Sequence, residues 1–237
     1  MLELRDRLIV ALDVPGAAQA RQVVQSLGEA VTVYKIGKQL FTAEGPGIVR
    51  DLVSSGRKVF LDLKFHDIPN TVAGAVSSAA ELGVTMLTVH ASGGSKMLKA
   101  AAEAAAQSPA KPMILAVTVL TSLSDSDLQE IGMSGNLLAQ VLRLGALAHS
   151  AGCGGVVASA HEARELRREL GEGFEIVTPG VRPAGAAKGD QARVLTPAEA
   201  IEAGATRLVV GRPILEASDP RKTVQQILTD MEIAVTV

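Results

Sequence analysis

Eight short runs of apolar, largely β-branched residues recur along this chain, and the recurrence limits its possible folds more than any other feature. They span residues 8–14, 31–37, 58–64, 86–91, 113–120, 154–160, 175–181 and 207–214. Each is bounded by Gly, Pro, Asp or Ser and has the length of a buried strand. Between them lie Ala-rich stretches with helical spacing, for example at 17–27, 71–82, 94–106, 137–148, 161–170, 197–203 and 220–233. Thr196-Pro197-Ala198-Glu199 reads as a capping box with proline at the first helical position, and Ser218-Asp219-Pro220 gives a similar start signal. Continuously apolar strands separated by helices imply a parallel sheet covered on its outer face. Eight strand-then-helix units in this length match a closed (β/α)8 TIM barrel, in the α/β class, with residues 1–237 as a single domain. An open doubly wound sheet is the alternative, but Asp13-Val14-Pro15-Gly16 after the first run is no dinucleotide fingerprint.

Composition narrows the function classes. Hydrophobic residues are 47% of the 237 and charged residues 20%, which suits a packed core and excludes a disordered chain. A formal charge of -2 gives no reason to expect a nucleic-acid or anionic-membrane partner. Aromatics are only 2%, with no Trp, so base-stacking platforms are not expected. The longest apolar stretches, such as 113–117, are far too short to cross a bilayer. No secretory signal is expected, because the first apolar run is short and follows Glu3 and Asp6. One cysteine, Cys153, allows no internal disulfide and no cysteine metal cage, which fits a reducing cytoplasm.

In a barrel the C-terminal ends of the strands build the active face, so charges there carry information. Run one ends in Ala11-Leu12-Asp13, run two in Tyr34-Lys35-Ile36-Gly37, run three in Leu61-Asp62-Leu63-Lys64 and run eight in Val209-Val210-Gly211-Arg212. Strand alternation puts Asp62 and Lys64 on one side and Val59, Leu61 and Leu63 on the other. Asp67 follows in a loop before a helix opening at Ile68 or Pro69. One such charge alone reads as a solvated strand end, and a buried ion pair can serve packing alone; four converging on one face point to a site. After run seven, Thr178-Pro179-Gly180-Val181-Arg182-Pro183 continues through 184–190 to Gln191, too long and Gly/Ala/Pro-rich for a plain connection. Loops after strands seven and eight commonly hold phosphate in such barrels, and Gly211-Arg212 offers a backbone N–H and a guanidinium fork. A phosphorylated small molecule is the expected ligand.

Asp62-Leu63-Lys64-Phe65-His66-Asp67-Ile68-Pro69-Asn70-Thr71 resembles the signature of the orotidine 5'-phosphate decarboxylase family. Ala11-Leu12-Asp13, Lys35-Ile36-Gly37, Thr178-Pro179-Gly180-Val181-Arg182 and Val210-Gly211-Arg212 match in the expected order across essentially the whole chain. The resemblance implies cofactor-free, metal-free decarboxylation of orotidine 5'-phosphate (OMP) to UMP and carbon dioxide in pyrimidine biosynthesis. It assigns Asp13 and Lys35 to the ribose hydroxyls, and Asp62 and Lys64 to the reacting carbon with Lys64 as proton donor. Asp67, Ile68 and Thr71 would reach into the neighbouring subunit's site across a homodimer interface, with Asp67 and Lys35 completing the catalytic set. Thr121 and Ser122 would approach ribose and pyrimidine. Pro179, Arg182, Gln191, Gly211 and Arg212 would bind the phosphate end, the segment from Arg182 to Gln191 closing over it. In magnesium-dependent phosphosugar relatives a carboxylate on strand two helps hold the metal; here Lys35 stands at that place.

Two other functions compete: a magnesium-dependent phosphosugar lyase or decarboxylase, and a catalytically silent nucleotide-binding barrel. Carboxylates beside Lys64 argue against a Schiff-base aldolase, whose lysine must be neutral. His66, inside the signature, reads as a structural hydrogen-bonding residue or a chemical one, His90 as structural at the end of run four, His149 and His161 as ordinary residues in or beside helices, and Cys153 as a small buried one.

Overall fold

A computed structural model describes residues 3–183 and 195–236. Helix α1 (Leu4–Arg7) leads into β1 (Leu8–Ala11), followed by α2 (Ala17–Leu27), β2 (Val33–Gly37), α3 (Lys38–Glu44), α4 (Gly47–Ser54) and β3 (Lys58–Phe65). Next come α5 (Pro69–Ala80), β4 (Met86–His90), α6 (Gly94–Gln107), β5 (Met113–Val117), α7 (Asp125–Glu130), α8 (Leu137–Ser150) and β6 (Gly155–Val157). The chain continues with α9 (Ala160–Leu170), β7 (Glu175–Pro179), α10 (Pro197–Glu202), β8 (Arg207–Val210), α11 (Arg212–Leu215) and α12 (Pro220–Thr236).

All eight strands are parallel and pair in chain order, and β1 pairs with β8 through Ile9↔Val209 to close the barrel. This is the (β/α)8 TIM barrel that the sequence implied. Two cores follow from the closure. Ile9, Ala11, Val33, Phe60, Met86, Leu115, Val177 and Val209 fill the barrel interior. Their outward-facing neighbours, including Leu8, Val10, Tyr34, Val59, Leu61 and Leu208, pack under the helices. Both faces are dry, which is why the strands read as unbroken apolar runs.

The expected helix starts are present. Thr196 and Glu199 cap each other reciprocally with Pro197 at the first position of α10, and Asp219 accepts from Lys222 N at 3.0 Å at the start of α12. Several segments depart from the sequence reading. Residues 38–54, where the eight-unit count implies a helix but no stretch was assigned, form two short helices, α3 and α4, split at Gly45-Pro46, with Gly45 at φ +63° ending the first. Strand β1 stops at Ala11 and β5 at Val117, so Asp13, Val119 and Leu120 lie on loops above the barrel rather than in strands. Strand β8 stops at Val210, and the chain turns at Gly211 into α11. Among the described residues, no helix is long and apolar enough to cross a membrane.

Candidate active site

A cavity of about 460 Å³ opens at the C-terminal end of the barrel. Its wall carries Asp13, Lys35, Asp62, Lys64, Thr121, Pro179, Arg182, Gly211 and Arg212, nine positions that the sequence had singled out, now drawn from six strand ends and their loops. Apolar side chains of Phe60, Val117, Val157 and Val209 form the remainder of the floor, with Val119 and Leu120 beside them.

Four charges form an alternating row across this floor. Lys35 Nζ lies 2.9 Å from Asp13 Oδ1 and 3.8 Å from Asp62 Oδ2, and Lys64 Nζ lies 2.7 Å from Asp62 Oδ1. Lys35 thus joins the carboxylates of β3 and the β1 loop with its amine. Burial pushes the Asp62 carboxyl up, but the charges of Lys35 and Lys64 and hydrogen bonds from Lys64 and Thr88 outweigh it. The net result holds Asp62 below the ordinary carboxylate range, so it is an anion at neutral pH.

Asp62 and Lys64 do share one side, as alternation implied, and Leu61 faces the outer core. The route is not a regular strand, however. Leu61 pairs with Leu87 and Phe65 with Val89, so residues 62, 63 and 64 of β3 stand opposite Thr88 alone in β4. Within this bulge Lys64 takes φ +55°, a left-handed conformation costing a residue with a side chain about 1–3 kcal/mol. Bulges re-aim side chains next to active sites, and this one brings the Lys64 amine back onto Asp62.

Sequence reasoning missed Thr88. It is fully buried, accepts from Lys64 N at 2.8 Å and donates to Asp62 Oδ1 at 3.0 Å. A threonine between Leu87 and Val89 reads as an ordinary strand former, so alternation with Met86 and His90 was its only signal. Gly180 and Glu216 also line the cavity and were not singled out for it. His66 and His90 lie with ring centroids 5.4 Å apart at the rim. Burial, and then the charges of His66, Lys38 and Lys64 against that of Asp62, push the His90 imidazole below its usual value. His149 packs edge-on against Phe174, and burial pushes the Cys153 thiol up to about 12.

Ser122 is not brought to this cavity, and neither are Asp67, Ile68 and Thr71, which were assigned to a neighbouring subunit's site. Asp67, Ile68 and Thr71 sit exposed around the start of α5, where Asp67 Oδ1 accepts from Ile68 N at 2.6 Å. Ser122 is exposed on the loop after β5 while its neighbour Thr121 lines the wall. Gln191 lies outside the described residues; the ends of its segment meet where Arg182 N donates to Leu195 O at 3.0 Å.

Comparison with known proteins fits this geometry. A protein named orotidine 5'-phosphate decarboxylase from Idiomarina loihiensis is 53% identical over 225 residues, covering 95% of this chain and 97% of its own. One of the same name from Alkalilimnicola ehrlichii is 56% identical over 214 residues, covering 90% and 91%. The crystal structure of orotidine 5'-phosphate decarboxylase from Lactobacillus acidophilus superposes with a TM-score of 0.86 at 40% identity, covering 95% of this chain and 99% of that one. The model of the orotidine 5'-phosphate decarboxylase / HUMPS family matches residues 6–227, which takes in every strand of the barrel and the whole charged row, and the chain belongs to that family.

Proposed function

We propose that this protein decarboxylates OMP to UMP and carbon dioxide, without metal or organic cofactor. The observation that carries the reading is the alternating row Asp13–Lys35–Asp62–Lys64 in a cavity that Arg182 and Arg212 also line. The row suits the reacting ring and its ribose; the guanidiniums suit the 5'-phosphate. Relatives carrying the name of this activity match over nearly the full chain at about half identity.

In the reaction the bond between C6 and the carboxylate breaks, and its electron pair stays on C6 in the ring plane, with little delocalisation. Lys64 donates an N–H proton to C6 and regains one from solvent. An ammonium about 4 Å from that charge contributes roughly 4 kcal/mol at an effective dielectric near 20. Enzymes commonly supply about 8–23 kcal/mol, so one cation is not enough. Binding of phosphate and ribose must contribute orientation and exclusion of water. Asp62 holds the Lys64 amine in place and sets a negative charge near the substrate carboxylate. Lys35 takes the ribose hydroxyls with Asp13, and its amine sits between two carboxylates where a divalent cation would meet repulsion.

The second subunit enters through Asp67, Ile68 and Thr71. All three are exposed and away from their own chain's cavity, which favours a homodimer with shared sites.

The direct test is loss of OMP absorbance with the purified protein, with and without a chelator. Equal turnover in both is expected, and Lys64→Ala should abolish it while the folded protein still binds UMP. A rate that vanishes with chelator, or robust turnover by Lys64→Ala, overturns the reading.

A further inference from the structure

We propose that Thr88 is a positioning residue for the proton donor: its one hydroxyl locks the left-handed turn at Lys64 and orients the carboxylate that holds the Lys64 amine. The inference rests on the decarboxylase reading for its kinetic consequence, but its structural part stands apart from it.

A regular ladder would satisfy Lys64 N–H with a carbonyl of β4. Here residues 62–64 face a single partner residue, and the N–H donates to the Thr88 side chain at 2.8 Å. The same hydroxyl donates to Asp62 Oδ1 at 3.0 Å, and that oxygen accepts from Lys64 Nζ at 2.7 Å. Lys64 N, Thr88 Oγ1, Asp62 Oδ1 and Lys64 Nζ therefore form a closed ring that fixes backbone and amine of one residue against each other. Only a hydroxyl fits this place, because it must accept and donate at once. Valine has the same shape and does neither; serine does both. Thr88 is fully buried and does not line the cavity, so it cannot act by touching substrate. Its effect must come through Lys64 and Asp62.

The experiment compares wild type, Thr88→Val and Thr88→Ser. For Thr88→Val, kcat should fall roughly 10- to 100-fold, the loss of a hydrogen bond to a charged group. KM for OMP and Kd for UMP should stay within about threefold, because ribose and phosphate contacts are untouched. Thr88→Ser should recover most of the rate. Amide hydrogen exchange at Lys64 supplies a readout without turnover: faster in Thr88→Val, near wild type in Thr88→Ser. If Thr88→Val does not fold, Thr88→Ala takes its place with the same expected results. A valine variant within twofold of wild-type kcat, a serine variant as slow as valine, or unchanged exchange at Lys64 would overturn the proposal. A wild-type protein inert toward OMP would sink the decarboxylase reading instead, and the exchange arm would still decide the role of Thr88.

Discussion

At the scale of single residues, the site depends on packing as much as on charge. Gly37 ends β2 just below the Lys35–Asp13 pair, and a Cβ there would stand 3.0 Å from Lys35 Nζ and 3.2 Å from Asp13 Oδ1. Its φ of -93° suits any residue, so Gly37→Ala strains no backbone. The atoms in the way are ends of side chains, which can shift by a few tenths of an ångström. Stability should therefore change little while the pair that faces the ribose is displaced. A rise in KM of about fivefold is expected, about 1 kcal/mol of lost hydrogen bonding, with kcat nearly unchanged. Steady-state kinetics with a thermal melt checks it, and a midpoint lowered by more than a few degrees with KM unmoved would contradict it. The charged residues of this site were legible in the sequence because an ion at the end of an apolar strand needs a reason. Thr88 and Gly37 were not, since nothing in a lone threonine or glycine says which ion lies against it.

At the scale of elements, the two mouths of the barrel divide the work. The N-terminal mouth is closed by polar groups from α1, β3, β7 and β8. Lys58 Nζ meets Asp6 Oδ2 at 2.6 Å, Thr32 Oγ1 donates to Asp6 Oδ1 at 2.7 Å, and Arg207 bonds the Asp6 carbonyl at 2.8 Å and lies 3.3 Å from Glu175. Burial pushes the Asp6 carboxyl up, but bonds from Lys58 and Thr32 and the charges of Lys58 and Arg207 pull it further down, below its ordinary value. A depressed folded-state pKa stabilises fully above the unfolded value, about 3.9, and the gain disappears as pH falls through the folded value. Asp6→Asn should thus lower the thermal midpoint at pH 7 by about 2–4 °C, roughly 1 kcal/mol given that Lys58 is half exposed. The gap from wild type should narrow toward pH 3. A gap as wide at pH 3 as at pH 7 would refute the assignment. The strands were readable because burial on both faces writes itself as an unbroken apolar run. The helices α3 and α4 were not, because the break at Gly45-Pro46 leaves pieces of seven and eight residues, about two turns each, too short to show a period. The bulge in β3 was equally hidden: alternation counts residues along one strand, whereas a bulge is defined by the pairing partner.

At the scale of the whole molecule, the chain carries a surface that its own barrel leaves unused. Ile68 is 67% exposed beside Asp67, and a separate, largely apolar groove of about 400 Å³ runs between α3, α4 and α5, lined by Phe41, Leu63, Phe65 and Leu82. Exposed apolar surface of this kind fits association, and a twofold pair would carry each subunit's Asp67 toward the other's cavity. Mixing two inactive variants tests this without a structure of the dimer. In a pair made from Lys64→Ala and Asp67→Ala subunits, one site lacks both groups, while the other combines Lys64 of one chain with Asp67 of its partner. Equal mixing makes half of the dimers mixed, and one of their two sites is whole, so about a quarter of wild-type activity should return. Size-exclusion and mass analysis would establish that mixed dimers had formed. If Asp67 instead serves its own chain, every site in every pair stays broken at one position, and mixing restores nothing. Recovered activity that scales with the fraction of mixed dimers is therefore a property that only a shared site can give.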